Sequence, residues 1–146
     1  MFKRILVAVD GSKSALDALK QAVELQKLSQ SELYIICVYK HHSLFSASLS
    51  IARPEELRIP DEALSQYARD VVEHAKAIAV ENGAPTVKGY TDSGRPSKTI
   101  VEFASKHDID LIVLGARGTH GAKDGILLGS VSQRVAGMAK CPILLV

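Results

Sequence analysis

The 146-residue chain has no tryptophan, and its aromatic side chains are limited to four tyrosines and three phenylalanines. Its net charge is only +2, with both signs interspersed. There is neither a basic stripe to track a phosphate backbone nor an aromatic-plus-arginine platform for stacked bases, so nucleic acid is not an expected partner. Cysteine is scarce as well. Cys37 and Cys141 both lie in apolar runs, no C-x-x-C occurs and no His/Cys spacing suits zinc. A disulfide framework and a metal finger are therefore not expected, and both thiols read as small buried hydrophobes. Long apolar runs are missing too: Ile5–Val9 stops at Asp10, too short for the apolar region of a signal peptide or for a membrane span. A cytoplasmic, reduced protein without membrane insertion is the expectation.

What the chain does have is alternation. RILVAV, ELYIICVY, TVKGYT, DLIVLG and PILLV read as five strands, three of them nearly continuous apolar runs of the kind that parallel strands show when both faces are covered. Between them, Ala15, Leu16, Leu19, Ala22 and Val23 recur at helical spacing, as do Leu64, Tyr67, Ala68, Val71, Val72, Ala75, Ile78 and Ala79. Asn82-Gly83 is a left-handed stop for the second helix, and Pro96 opens a third. Ser130 with Gln133 matches a capping box that would start a fourth. One domain over residues 1–146 is expected, and a chain of this length buries roughly 68–70% of its unfolded surface.

Such a chain, wound with right-handed crossovers, makes a doubly wound parallel sheet with helices on both faces. Ligands bind outside the carboxyl ends of its strands, where the winding reverses. The alternation does not choose the strand order. In the order 3-2-1-4-5 the crevice lies between Val9-Asp10-Gly11-Ser12 and the chain from Gly115 onward, the two most loop-rich strand exits.

The second of these exits is GARGTHGAKDGILLGS, residues 115–130, with five glycines between a strand and a helix. Glycines allow close backbone approach, and the N–H groups of such a loop and helix start can cradle an anion; a flexible surface loop is the other reading. No G-x-x-x-x-G-K-S/T can be read here, since Lys123 and Lys140 lack the preceding glycine and following hydroxyl. G-x-G-x-x-G is absent as well. Without a P-loop lysine and hydroxyl, phosphoryl transfer has no evident machinery, and no catalytic residue is assigned.

Other features are less specific. Asp10 could accept from ribose hydroxyls or simply favour a turn. His41-His42 lacks a third ligand at metal spacing, so no metal site is expected. Arg117, His120 and Lys123 could add positive charge toward phosphates or be solvated loop residues. His74 and His107 read as helix-surface residues. Residues 40–60 make a connector longer than ordinary loops, whose Leu44, Phe45, Leu49 and Ile51 could form a lid, a partner surface or a short helix on the core. The uncharged run Pro142–Val146 would be an edge strand, which predicts a two-fold homodimer through it.

KRILVAVDGS, the glycine-rich stretch and SVSQRVAGMAKCPILLV together resemble the universal stress protein family over essentially the whole chain. The family's nucleotide-binding branch carries G-x2-G-x9-G-S/T between strand four and helix four. The resemblance implies the Rossmann-like order 3-2-1-4-5 and an adenine nucleotide as partner, ATP with AMP as the alternative, with Mg²⁺ or Mn²⁺ held only through the phosphates. By that resemblance Gly115, Gly118, Gly129 and Ser130 are the motif residues, and Val131 joins the closing pair around the phosphates. Asp10 would lie near the ribose, the backbone of Val38 on the adenine, and Leu114 beside the adenosine. Ala8 and Val9 would form the apolar strand end, Ala8 standing where many relatives have proline, and Arg117 lies between the first two glycines. Ten residues, not nine, separate Gly118 from Gly129. The connector also resembles members associated with TRAP-type solute transporters, which implies a regulatory contact with a membrane transporter. Two other functions stay open: a slow ATP hydrolase or phosphotransferase in the same pocket, and a nucleotide-free dimeric interaction protein.

Overall fold

The computed structural model describes residues 1–40, 60–117 and 128–146. His41, His42, Leu44, Phe45, Leu49 and Ile51 of the connector lie outside the described residues. So do Gly118, His120, Gly121, Lys123 and Gly125 of the glycine-rich stretch.

Strands and helices alternate: β1 (Arg4–Ala8), α1 (Lys13–Ser29), β2 (Glu32–Tyr39), α2 (Asp61–Glu81), β3 (Val87–Ser93), α3 (Pro96–Lys106), β4 (Leu111–Leu114), α4 (Ser130–Met138) and β5 (Ile143–Leu145). The five strands form one parallel sheet in the order β3-β2-β1-β4-β5, as the resemblance implies. Val7 pairs with Ile35 on one side and Val113 on the other, so β1 is central and its exit lies beside that of β4.

Period-two alternation divides the core between the two faces. Ile5, Val7, Val9, Leu33, Ile35 and Cys37 pack with α1 and α2. Leu6, Tyr34, Ile36, Ile112 and Leu114 pack with α3 and α4. The chain thus crosses from one face to the other between β3 and β4, which makes β1–β4 the switch point. Fully buried residues such as Ile5, Leu6, Leu19 and Ile35 contribute roughly 1.5–3 kcal/mol each.

Local signals explain the helix ends. Ser12 caps α1, its hydroxyl accepting from the Ala15 amide at 3.2 Å. Gly83, at φ +90°, ends α2 as expected, and Pro96 stands at the first position of α3. The capping box at Ser130 is not formed. Gly129 is the N-cap of α4, which places Ser130 inside the first turn, and the Gln133 side chain donates to the Leu128 carbonyl instead. The buried stripe of α2 is also narrower than its periodicity suggests, comprising Ala68, Val72, Ala75 and Ala79. Alanines and Gly89 let α2 lie close to β3 at Val72 and Lys76, and Tyr67, at the margin of the stripe, is more than half exposed with its hydroxyl toward Gly11. His107 is a further correction: it is half-buried at the end of α3, its ring stacked on Phe103 at 4.0 Å, because Tyr34, Tyr90 and Phe103 form an aromatic cluster there.

Candidate functional site

At the exit of β1, the Val9 amide donates to the Ile36 carbonyl at 2.9 Å, extending the β1–β2 ladder by one residue. Asp10 then turns outward, exposed, and its Oδ1 accepts from the Ser12 amide at 2.9 Å. Its Oδ2 has no hydrogen-bond partner among the described residues. Gly11 takes φ +85°, a left-handed turn that glycine tolerates at no steric cost, and an added Cβ would stand 3.0 Å from the Tyr67 hydroxyl. Val38, near the end of β2, is half-buried beside the α3–α4 core, as is Ala8.

At the exit of β4, Leu114 is buried and Gly115 lies against the first turn of α1. A Cβ on Gly115 would come within 2.5 Å of Ser14 Oγ, 2.7 Å of the Ser14 carbonyl carbon and 2.9 Å of the Ala15 nitrogen. The first motif glycine is thus demanded by helix–strand packing. The Gly115 carbonyl accepts from the buried Ser132 hydroxyl at 2.8 Å, and the Arg117 amide donates to Ser14 Oγ at 3.3 Å. Ala116 donates to the Val146 carbonyl at 2.8 Å and accepts from the Gly129 amide at 2.6 Å.

These bonds join Asp10–Ser14, Gly115–Arg117 and Gly129–Ser132 into one junction at the switch point. They also occupy three amides of the glycine-rich stretch. The loop amides of Ala116 and Arg117, and that of Gly129, are not open to an anion, because the β4–β5 ladder continues past Leu114 and the strand exit packs on α1. The first-turn amides of α4, at Ser130, Val131 and Ser132, are in a different position: a helix start has no intrahelical acceptors for them, and among the described residues no side chain caps them. Ser130 is exposed and Val131 half-buried at that turn.

Ser14 and Ser132 escaped the sequence reading, and Tyr67 was read only as part of a helical stripe. A serine in a helix's first turn is visible in sequence, whereas its bond to a strand exit more than 100 residues away is not. The site is poor in reactive groups. Burial, reinforced by the Asp10 carboxylate, pushes the Cys37 thiol up to about 11, so it is protonated at neutral pH. Among the described residues no cluster of three His, Cys, Asp or Glu could hold a metal ion. A cavity of about 320 Å³ lined by Val101, Ile112, Lys140 and Cys141 lies at the amino ends of β4 and β5, away from this junction.

The universal stress protein family model matches residues 1–146. The chain belongs to the universal stress protein family. It is 36% identical to universal stress protein YxiE of Bacillus subtilis, an alignment covering 100% of this chain and 99% of that one. The solved universal stress protein UspA from Lactobacillus plantarum superposes with a TM-score of 0.80 at 29% identity, covering 99% of this chain and 97% of that one. A universal stress protein solved in complex with cAMP superposes with a TM-score of 0.72 at 26% identity, covering 99% and 96%. Among the described residues of this universal stress protein, no helix is long and apolar enough to cross a membrane.

Proposed function

We propose that the protein is a cytoplasmic regulatory module that binds ATP, or AMP in its place, at the β1–β4 switch point. The observation that carries this reading is the junction itself. Two strand exits and the first turn of α4, which no side chain caps among the described residues, converge there beside Asp10, whose Oδ2 has no partner among those residues. The cAMP complex of a relative supports an adenine nucleotide as the class of ligand. In this reading Asp10 accepts from the ribose, Ala8, Val9, Val38 and Leu114 surround the adenosine, and the amides of Ser130 and Val131 receive phosphate oxygens. Gly115 and Gly129 shape the junction, and Gly118 and the side chain of Arg117 complete the phosphate side. A divalent cation would be carried by the phosphates.

Binding, with no catalytic residue, is the activity proposed. Denaturing the purified protein and identifying released small molecules by mass spectrometry tests it, alongside melting with added nucleotide. ATP at ~100 times its Kd should add about 2.7 kcal/mol of stability. Absence of any adenine nucleotide, with no stabilisation by ATP or AMP, would refute the reading.

A homodimer through β5 is part of the same proposal. Ile143, Leu144 and Leu145 are apolar yet only half-buried, and their strand pairs on one side alone. Val146 donates to the Leu114 carbonyl and accepts from the Ala116 amide, so by alternation the Leu145 amide points outward. Leu145→Pro should therefore make the protein monomeric in sedimentation without unfolding it. A contact with a solute transporter, resting on the connector's resemblance, is tested by co-purification from membranes.

A further inference from the structure

Two serines hold the strand exit from opposite sides of the sheet. Ser14 stands in the first turn of α1, and its Oγ accepts the Arg117 amide at 3.3 Å while its backbone abuts Gly115. Ser132 stands in the first turn of α4, on the other face; it is 4% exposed, and its hydroxyl donates to the Gly115 carbonyl at 2.8 Å. A buried serine hydroxyl with one partner is costly to strand, so its placement fixes that partner. The tied residues lead directly into the phosphate side of the proposed pocket, whereas Asp10, Val38 and Leu114 lie on its nucleoside side.

We propose that Ser14 and Ser132 are positioning residues, a pair of hydroxyls that clamp Gly115–Arg117 between two helix starts and so align the first turn of α4 for the phosphates of a bound nucleotide. The inference rests on the nucleotide-binding reading. In this proposal both serines act through the strand exit and the start of α4 on the phosphate side, and neither lies on the nucleoside side. Their effect is therefore selective: the clamp governs affinity that grows with the number of phosphates and leaves nucleoside affinity alone. A purely structural role would lower affinity for every ligand together.

The test is calorimetric titration of adenosine, AMP and ATP into the wild-type chain, Ser14→Ala and Ser132→Ala, with melting temperatures recorded for each. Loss of one neutral hydrogen bond should weaken ATP binding roughly 3- to 10-fold, with adenosine within about twofold of wild type. Ser14→Thr, which keeps the acceptor, should retain ATP affinity. Because Ser132 is buried and its alanine variant could fail to fold, exchange of the Arg117 amide in Ser14→Ala gives a second readout, and it should speed up relative to wild type. Equal losses for adenosine and ATP, or unchanged ATP affinity in folded Ser14→Ala, overturn the clamp. Failure of the wild-type chain to bind any of the three ligands overturns the nucleotide reading itself.

Discussion

Replacing Gly115 by alanine puts a methyl group where no space exists. The added carbon would meet Ser14 Oγ at 2.5 Å, the Ser14 carbonyl carbon at 2.7 Å and the Ala15 nitrogen at 2.9 Å, against an ordinary contact near 3.4–4 Å. Two of those three atoms are backbone, so no rotamer change removes them. Neither partner can retreat freely, since the Ser12 cap holds the start of α1 and Ser132 and Val146 hold the strand exit. Overpacking of this kind costs about 1–3 kcal/mol, and the upper part of that range, about 2–3, applies where backbone must move. For a chain of this size each kcal/mol lowers Tm by roughly 2–4 °C, so Gly115→Ala should melt about 4–12 °C below wild type. Gly137→Ala is the control: nothing lies within 4 Å of the added carbon, and alanine for glycine in a helix should stabilise by roughly 0.5–1 kcal/mol. Calorimetry on both variants decides the matter. If Gly115→Ala melts at the wild-type temperature, or if adding Ser14→Ala restores it fully, the close approach of strand exit and helix start is not what holds this position as glycine.

Gly11→Ala should destabilise by about 1–2 kcal/mol, from φ +85° and the Tyr67 hydroxyl, and Gly83→Ala by somewhat less because only a Lys27 side chain at 3.7 Å adjoins its φ of +90°; chemical denaturation ranks the two. For Cys37 the folded state holds the proton more tightly than the unfolded chain, so stability is full below pH 9 and falls as pH rises toward about 11. Cys37→Ala should flatten that part of a stability–pH profile, and an unchanged slope would contradict the assignment. Asp110 accepts from the Lys3 and Arg4 amides at 2.8 and 3.0 Å, securing the start of β1 far from the junction. Asp110→Ala should cost about 1–3 kcal/mol in denaturation while leaving nucleotide affinity unchanged.

Strand and helix identity were legible because each run obeyed one period. In β1 the residues Ile5, Leu6 and Val7 are all apolar since both faces are covered, and α1 shows its buried Ala15, Leu19, Ala22 and Val23 at helical spacing. The strand order came from the family resemblance, because alternation alone is the same for any doubly wound order. Tyr67 misled the periodicity, since a residue at the margin of a stripe is buried or exposed according to its neighbours on other elements, here Gly11 at the exit of β1. The N-cap of α4 moved to Gly129 for a similar reason. The Gly129 amide is drawn to the Ala116 carbonyl, a tertiary bond that no pairing of Ser130 with Gln133 discloses.

The glycines of the 115–130 stretch do not share one role. Gly115 serves close packing and has its carbonyl bonded to Ser132, while Gly129 ends the approach to α4 with its amide bonded to Ala116. Among the described residues, the amides of Ala116, Arg117 and Gly129 spend their donors on these internal bonds. Anion binding at the first turn of α4 uses other donors, because the amides of Ser130 and Val131 have no acceptor in the helix and, among the described residues, no side chain capping them. The missing cap at Ser130 is then informative. A capping side chain would occupy the donors that a phosphate needs, and Gly129, which has no side chain, is the N-cap residue that leaves them free. It follows that Gly129→Asp, which supplies a capping carboxylate of the ligand's own charge, should strengthen α4 by about 0.5–1 kcal/mol. The same change should weaken binding of ATP more than of adenosine. Parallel melting and titration of that variant separate the two effects, and a variant that gains stability while binding ATP as well as wild type would place the phosphates elsewhere.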